Sequence, residues 1–253
     1  MSEQPSYPVS RRITTVDNMY SLRRRRLQPE VMDQPDLEQA RHWHALRGLA
    51  RINWLSGSAG LLWPSIRRLA EESSSQPLRI LDVACGAGDL CIALHQRAAR
   101  CGLSLHLEGA DISSPALEYA QKQAETAGAK VRFFQQDALA GDFPTVYDVV
   151  FCSLFLHHLH EEQAVKLLKS MSRAARRMIL VSDLIRSRLG WTAAYLVTRM
   201  LTTSDVVHTD GPLSVQGAFT PAEALALAHQ AGLHEATVVR RWPFRFLLTW
   251  RRA

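Results

Sequence analysis

Residues 78–89 read LRILDVACGAGD, and the fold turns on how that stretch is parsed. Its first half is an apolar run interrupted only by Arg79 and Asp82, the composition of a short strand buried on both faces. The run passes straight into Ala84, Cys85, Gly86, Ala87 and Gly88, where glycines let the backbone turn sharply and approach a ligand. A helical pattern starts at Asp89. A strand that ends in a glycine turn at a helix start is the ligand-facing corner of a parallel α/β sheet, because such sheets bind at the carboxyl ends of their strands.

The same grammar repeats downstream. Strand patterns at 105–110, 131–135, 147–152 and 178–182 alternate with helical patterns at 89–101, 114–127 and 161–174, and Pro115 stands in a first turn where no N–H is missed. This predicts βαβ units with helices on both faces of the sheet. After the fifth strand the alternation stalls, and residues 184–218 read as a substrate-side insertion with one apolar helix at 191–201 and a polar turn from His208 to Pro212. Thr220 and Glu223 form a capping box for a helix at 221–231, and the segments 236–241 and 244–250 read as a closing antiparallel pair. Upstream, residues 36–72 are helical with a break near 56–60; Ala40, Trp43, Leu46, Leu49 and Ile52 recur at helical spacing. The chain thus divides into a basic arm (1–35), a helical cap (36–76) and an α/β domain (77–253).

The glycine turn selects among ligands. A phosphate-binding loop would carry Lys-Ser/Thr after the second glycine, and Asp89-Leu90 stands there instead; a dinucleotide fingerprint would have a third glycine where Cys91 stands. Asp89 would also oppose a pyrophosphate. Carboxylates then close the next two strands: Asp111, whose two oxygens can accept both hydroxyls of a ribose, and Asp137, placed to accept from an adenine amino group. Each alone could be a loop cap; three acids (Asp82, Asp111, Asp137) at matching strand ends suit a ligand with ribose, adenine and positive charge.

On these residues the sequence resembles the class I S-adenosylmethionine-dependent methyltransferases. Leu81 to Gly88 matches their first motif, Asp111 their second, Asp137-Ala138 their third and residues 147–153, ending in Cys152 and Ser153, their fourth; Ala84 stands where the family often has glycine. The resemblance implies a Rossmann-like seven-stranded sheet of order 3-2-1-4-5-7-6 with strand 7 antiparallel. It implies S-adenosyl-L-methionine as cofactor, with Asp82, Ala84, Gly86, Gly88, Asp111, Ile112, Asp137, Ala138, Cys152 and Ser153 around it. The upstream helices look like the cap of ubiquinone/menaquinone-type enzymes, which would put Arg51 or Asn53 on the cofactor's carboxylate or the substrate. An enzyme of that kind moves a methyl group from a sulfonium to a nucleophile, and proximity supplies most of the catalysis.

A hydroxyl or carbon acceptor also needs its proton removed, so histidines matter. His157 and His158 follow strand four, and His208 lies in the insertion two residues from Asp210, an orienting carboxylate if the two pair. Adjacent helical residues diverge by about 100°, so at most one of His157 and His158 should face the methyl. Residues 151–155 lack an Asn/Asp-Pro-Pro-aromatic clamp, which argues against adenine or glutamine amide acceptors. Leu189, Trp191, Ala194, Tyr195, Val197 and Met200 offer an apolar surface for a small hydrophobic or aromatic substrate. A phenolic or polyketide hydroxyl leads; carbon methylation of a quinol-like ring, RNA methylation and a non-catalytic cofactor-binding subunit are the alternatives.

The net charge of +6 points at first to a polyanionic partner, but it sits at the ends: residues 1–27 carry +4, residues 240–253 carry +5 and the body −3. No RNA-binding module is recognisable, so no nucleic acid partner is expected, and the N-terminal arginines are read as a solvated arm, a candidate for peripheral membrane contact. The sequence shows neither a leader nor a spanning segment, and Cys85, Cys91, Cys101 and Cys152 form no CxxC pair, so a reduced cytoplasmic protein without assigned metal ligands is the expectation.

Overall fold

A computed structural model describes residues 21–34, 36–73 and 77–252 of the chain. Seven strands form one sheet: β1 (Leu78–Val83), β2 (Leu105–Asp111), β3 (Val131–Gln135), β4 (Tyr147–Ser153), β5 (Ala175–Leu184), β6 (Thr237–Arg241) and β7 (Arg245–Arg251). Their order is 3-2-1-4-5-7-6, and β7 runs antiparallel to both of its neighbours. Eight helices accompany them among the described residues: α1 (Gln39–Leu55), α2 (Ser58–Glu72), α3 (Asp89–Arg100), α4 (Ser114–Thr126), α5 (Glu161–Ala174), α6 (Arg188–Leu201), α7 (Asp205–Gly217) and α8 (Pro221–Gln230).

Because strand side chains alternate between faces, one apolar run supplies two cores. Leu81 and Val83 join Val150, Ile179 and Val181 under α5 and α8, while Leu78 and Ile80 join Phe151 and Leu180 under α2 and α3. Helix α2 therefore belongs to the packed sheet: Leu62, Ile66 and Leu69 are buried there, each worth about 1.5–3 kcal/mol of hydrophobic burial. Only α1 of the helical segment leaves the sheet face. It lies across the carboxyl end, with Leu46 packed on Ala87 and Trp43 Nε1 donating to the carbonyl of Pro115 at 3.1 Å. The two helices part at Gly57, whose φ of +66° reverses the chain.

Two expectations are corrected here. The polar stretch from His208 to Pro212 is helical, the middle of α7, rather than a turn. Proline leaves the carbonyl four residues earlier without its helical donor, and here Arg199 Nη1 donates to the His208 carbonyl at 3.4 Å instead. Ser204 caps the helix by accepting from Val207 N. The described part of the basic arm is only partly solvated: Arg23, Arg24 and Arg26 are exposed, whereas Arg25 and Leu22 are packed. Arg25 Nε donates to the Gly217 carbonyl (2.6 Å), its Nη2 to the carbonyls of His157 (3.0 Å) and Leu159 (2.6 Å), and its guanidinium stacks 3.8 Å from the Phe219 ring centroid. Buried Leu22 packs with Trp191 and Val215. Arg11 and Arg12 lie outside the described residues. At the other basic end Arg245 is buried and Arg252 caps the carbonyls of Ser172 and Ala175, while Arg240, Arg241 and Arg251 are exposed.

Candidate functional site

The glycine turn leaves β1 with Ala84 at φ +57°, Gly86 at +51° and Gly88 at +68°. Gly86 and Gly88 use that freedom differently. A Cβ on Gly86 would meet no atom within 4 Å, so its backbone borders open space; a Cβ on Gly88 would sit 2.6 Å from Phe133 Cζ. The turn is tied to β2 through Asp111, whose Oδ2 accepts from Gly86 N (2.8 Å) and whose Oδ1 accepts from Ser113 N (2.9 Å). Burial raises the Asp111 carboxyl above its ordinary range, and those two backbone donors partly offset the rise. Each oxygen keeps a further lone pair for a ligand. Next to it Ile112 is 63% exposed, an apolar surface at the strand end. Asp137 Oδ1 accepts from Leu139 N at 2.7 Å, with Ala138 buried between them. Asp82 lies inward, under α3, where Cys91 Sγ approaches its Oδ2 at 3.6 Å. Burial raises the Asp82 carboxyl well above the usual range, which fits a group that shapes the turn from below.

Helix α1 adds a residue that periodicity did not single out. His42 is buried, and burial lowers its basicity against the opposing charges of Asp111 and Asp33. Asn53, near the end of α1, donates from Nδ2 to Asp89 Oδ2 (3.2 Å) and accepts on Oδ1 from Arg245 Nη2 (3.1 Å) and Ser58 Oγ (3.3 Å). It fastens α1 to the start of α3 beside the glycine turn. Arg51, its sequence-stretch neighbour, points elsewhere: it is exposed and donates to the Leu201 carbonyl at 3.3 Å. Cys152 is fully buried in the α5-side core, so its side chain is not available to a ligand, while partly exposed Ser153 ends β4. Of the alternatives Arg51 and Asn53, Asn53 is the one beside the glycine turn, and Cys152 offers this end of the sheet only its backbone.

One strand over, the segment after β4 carries the histidines on a 3-10 turn, Leu156–His158. His157 Nδ1 lies 2.6 Å from Asp183 Oδ1, and its backbone N–H donates to Asp183 Oδ2 at 3.0 Å. His158 Nδ1 lies 3.0 Å from Asp33 Oδ2. Burial would depress the His158 imidazolium, but the Asp33 hydrogen bond and the charge of Glu30 outweigh it and lift the ring to about 9. Contrary to the helical-wheel expectation, the two rings converge, with centroids 4.3 Å apart, and both Nε2 atoms face Glu30. Phe155 stacks on His158 at a centroid distance of 6.2 Å. Glu30, Asp33 and Asp183 had no local signal in the sequence, because the pairings join residues far apart in the chain, 26 for Asp183 and 125 for Asp33.

His208 does not pair with Asp210. Its Nε2 bonds the Thr202 carbonyl at 2.8 Å, and Asp210 instead accepts from Val31 N (2.8 Å) and Met32 N (3.0 Å), pinning the arm to α7. Burial lifts the Asp210 carboxyl to about 6. We expect His208→Ala to change turnover less than about twofold while His158→Ala abolishes most of it, in parallel single-turnover assays. The apolar residues of α6 also divide. Trp191 is buried and Ala194 packs beside it, whereas Leu189 and Met200 are 73% and 81% exposed.

Residues 80–177 match a family model described as a methyltransferase domain, less than half of the chain. The demethylmenaquinone methyltransferase of Thermus thermophilus is 42% identical over 92 residues, covering 36% of this chain and 39% of that protein. A ubiquinone biosynthesis O-methyltransferase of Bordetella parapertussis is 27% identical over 222 residues, 80% of this chain and 81% of its own. The chain spans 39% and 42% of the first two curated relatives it matches. Among solved structures, the plantazolicin methyltransferase BpumL with SAH superposes with a TM-score of 0.64 at 17% identity, over 87% of this chain and 92% of that one. The methyltransferase SibL gives 0.61 at 21% identity, over 94% and 69%. At these identities the structural likeness concerns the fold.

Proposed function

We propose that this chain, whose residues 80–177 match a methyltransferase domain, is a class I S-adenosylmethionine-dependent enzyme that transfers a methyl group to the hydroxyl oxygen of a small hydrophobic or aromatic acceptor. The observation that carries the reading is the adjacency of two built features at one end of the sheet. An acid-anchored glycine turn closes β1, and an imidazole–carboxylate cluster follows β4, the strand paired with β1 through Val83 and Cys152.

The first feature fits the cofactor. Gly86 presents backbone to open space, Asp111 offers one further lone pair on each oxygen to a ribose, Ile112 gives apolar surface for a purine, and α1 covers the turn through Leu46 and Trp43. S-adenosylmethionine, when bound, supplies a methyl group already activated by its sulfonium. The protein's part is then to exclude water, align the acceptor and manage the acceptor's proton. The His157–Asp183 and His158–Asp33 pairs stand where that last task falls, and Phe155 beside His158 is a surface for an aromatic ring. The names of the relatives, quinone-pathway enzymes among them, support a small-molecule acceptor.

The test combines calorimetry with S-adenosylmethionine and a panel of catechols, phenols and quinols followed by mass spectrometry and NMR. We expect 1:1 cofactor binding and a new O-methyl group on at least one apolar phenol. A methyl found on ring carbon, or transfer to RNA in preference to every small molecule, would overturn the acceptor; absence of cofactor binding would overturn the whole reading.

A further inference from the structure

We propose that Glu30, His157 and His158 form a binding site for one divalent transition-metal ion, whose open coordination side takes the hydroxyl oxygen of the methyl acceptor. The metal site stands on the geometry alone; its link to the acceptor rests on the methyl-transfer reading above.

The decisive feature is where the ring nitrogens point. Each imidazole has its Nδ1 held by a carboxylate, His157 by Asp183 at 2.6 Å and His158 by Asp33 at 3.0 Å. Carboxylates accept, so these bonds hold a proton on Nδ1 of each ring and turn Nε2 toward Glu30, where an ion takes the place of the Nε2 proton that His158 otherwise carries. Both Nε2 atoms face the Glu30 carboxylate, at 3.8 Å from Oε1 and 3.9 Å from Oε2, beyond hydrogen-bond distance. Three potential ligand atoms therefore converge, all within 4.8 Å of one another, in a place where Glu30 and His157 are buried. Ligand atoms at ordinary bond lengths around a tetrahedral ion lie about 3.4 Å apart, so a cluster whose ligand atoms lie within 4.8 Å of one another needs to contract by up to about 1.4 Å.

The surroundings are those of a built site. Histidine ligands usually donate their second nitrogen to a carboxylate, which fixes the ring and raises its basicity, and both rings here have that partner. Glu30 is fixed too, since Ser214 Oγ donates to its Oε1 at 2.7 Å. Arg25, on the same arm, clamps the carbonyls of His157 and Leu159, holding the ligand turn against the arm that brings Glu30. Glu30, Asp33 and Asp183 place three carboxylates around the two rings, a setting that accepts a divalent ion in exchange for an imidazole proton. Two imidazoles and a carboxylate with no thiolate suit Zn²⁺, Mn²⁺ or Fe²⁺ over Ca²⁺ or Cu⁺. Three protein ligands leave at least one coordination position open, and His158, the most exposed ligand at 21%, marks the open side. An ion there lowers the pKa of a hydroxyl placed on it, so the acceptor can be a phenol that is mostly protonated in solution.

Chelator-stripped full-length protein titrated with Co²⁺, followed by visible absorption and calorimetry, with Zn²⁺ as competitor, tests the site. We expect one equivalent of Co²⁺ to bind with an absorption change, Glu30→Gln and His158→Ala to remove most of that binding, and Asp33→Asn, which touches only the second nitrogen of His158, to weaken it about tenfold. S-adenosylmethionine affinity, measured on the same samples, should be unchanged in Glu30→Gln, which also reports that the variant is folded. Wild-type protein that binds the cofactor but no Co²⁺ overturns the metal site and leaves the methyltransferase reading standing. Co²⁺ binding unaffected by all three substitutions overturns it as well, by placing the ion elsewhere. Protein that takes up Co²⁺ through these residues but binds no cofactor supports the site and defeats the functional reading.

Discussion

Gly88→Ala should destabilise the protein by about 2–5 kcal/mol and cost it most of its cofactor binding. Two separate strains add at this position. An L-residue at φ +68° costs about 1–2 kcal/mol because its Cβ crowds the following carbonyl. The new Cβ would also lie 2.6 and 2.8 Å from Phe133 Cζ and Cε1 and 3.0 Å from Ala120 Cβ, and overpacking a close-packed site costs about 1–3 kcal/mol more. Phe133 lies on β3 and cannot simply withdraw, because it also covers Gly109, where a Cβ would be 2.7 Å from its Cδ1. Phe133→Leu separates the two strains. In the Gly88→Ala background it should recover the packing part and leave the backbone part, giving a coupling energy of about 1 kcal/mol or more in a double-mutant cycle by urea denaturation. An additive cycle would mean that the backbone conformation alone makes the position intolerant.

The comparison of positions 86 and 88 shows what could be read in the chain and what could not. Two glycines after a buried strand announced a turn, because that signal is local. Which glycine borders open space and which meets Phe133 depends on β3, far along the sequence. The same boundary runs through the rest of the site. Asp111 was legible, since it closes a strand whose apolar run is plain. Glu30 and Asp33 were not, since a polar, proline-punctuated arm carries no periodicity, and long-range contacts through Leu22, Arg25, Asp210 and Ser214 fix where it lies. The helical wheel misjudged His157 and His158 because it fixes where Cβ atoms start, whereas Asp183 and Asp33 decide where the rings finish. Pro212 misled in the opposite sense: it signals a break, but Arg199 supplies the donor that its helix lacks.

Asp111→Ala should weaken S-adenosylmethionine binding by about 1–3 kcal/mol, the loss of hydrogen bonds to a charged acceptor. Part of that loss is indirect. The carboxylate holds Gly86 N at 2.8 Å and Ser113 N at 2.9 Å, so the alanine variant orphans two backbone donors and loosens the turn as well as losing the ribose. Asparagine separates these contributions poorly, because one of its two ends is an NH₂ that would face either the Gly86 or the Ser113 donor. Its affinity should therefore fall nearly as far as that of alanine. Acidification of the native protein is the cleaner probe. Ribose hydroxyls donate to the ionised carboxylate, and burial has raised this carboxyl above its ordinary range, so protonation begins at a higher pH than for a surface aspartate. Affinity should then hold on the alkaline side and decline as pH falls toward that raised value, with protons taken up on cofactor release. Calorimetry in buffers of different ionisation enthalpy measures that uptake directly, and it should vanish in Asp111→Ala. Unchanged affinity in the variant, or proton uptake that persists in it, would move the ribose to another acid.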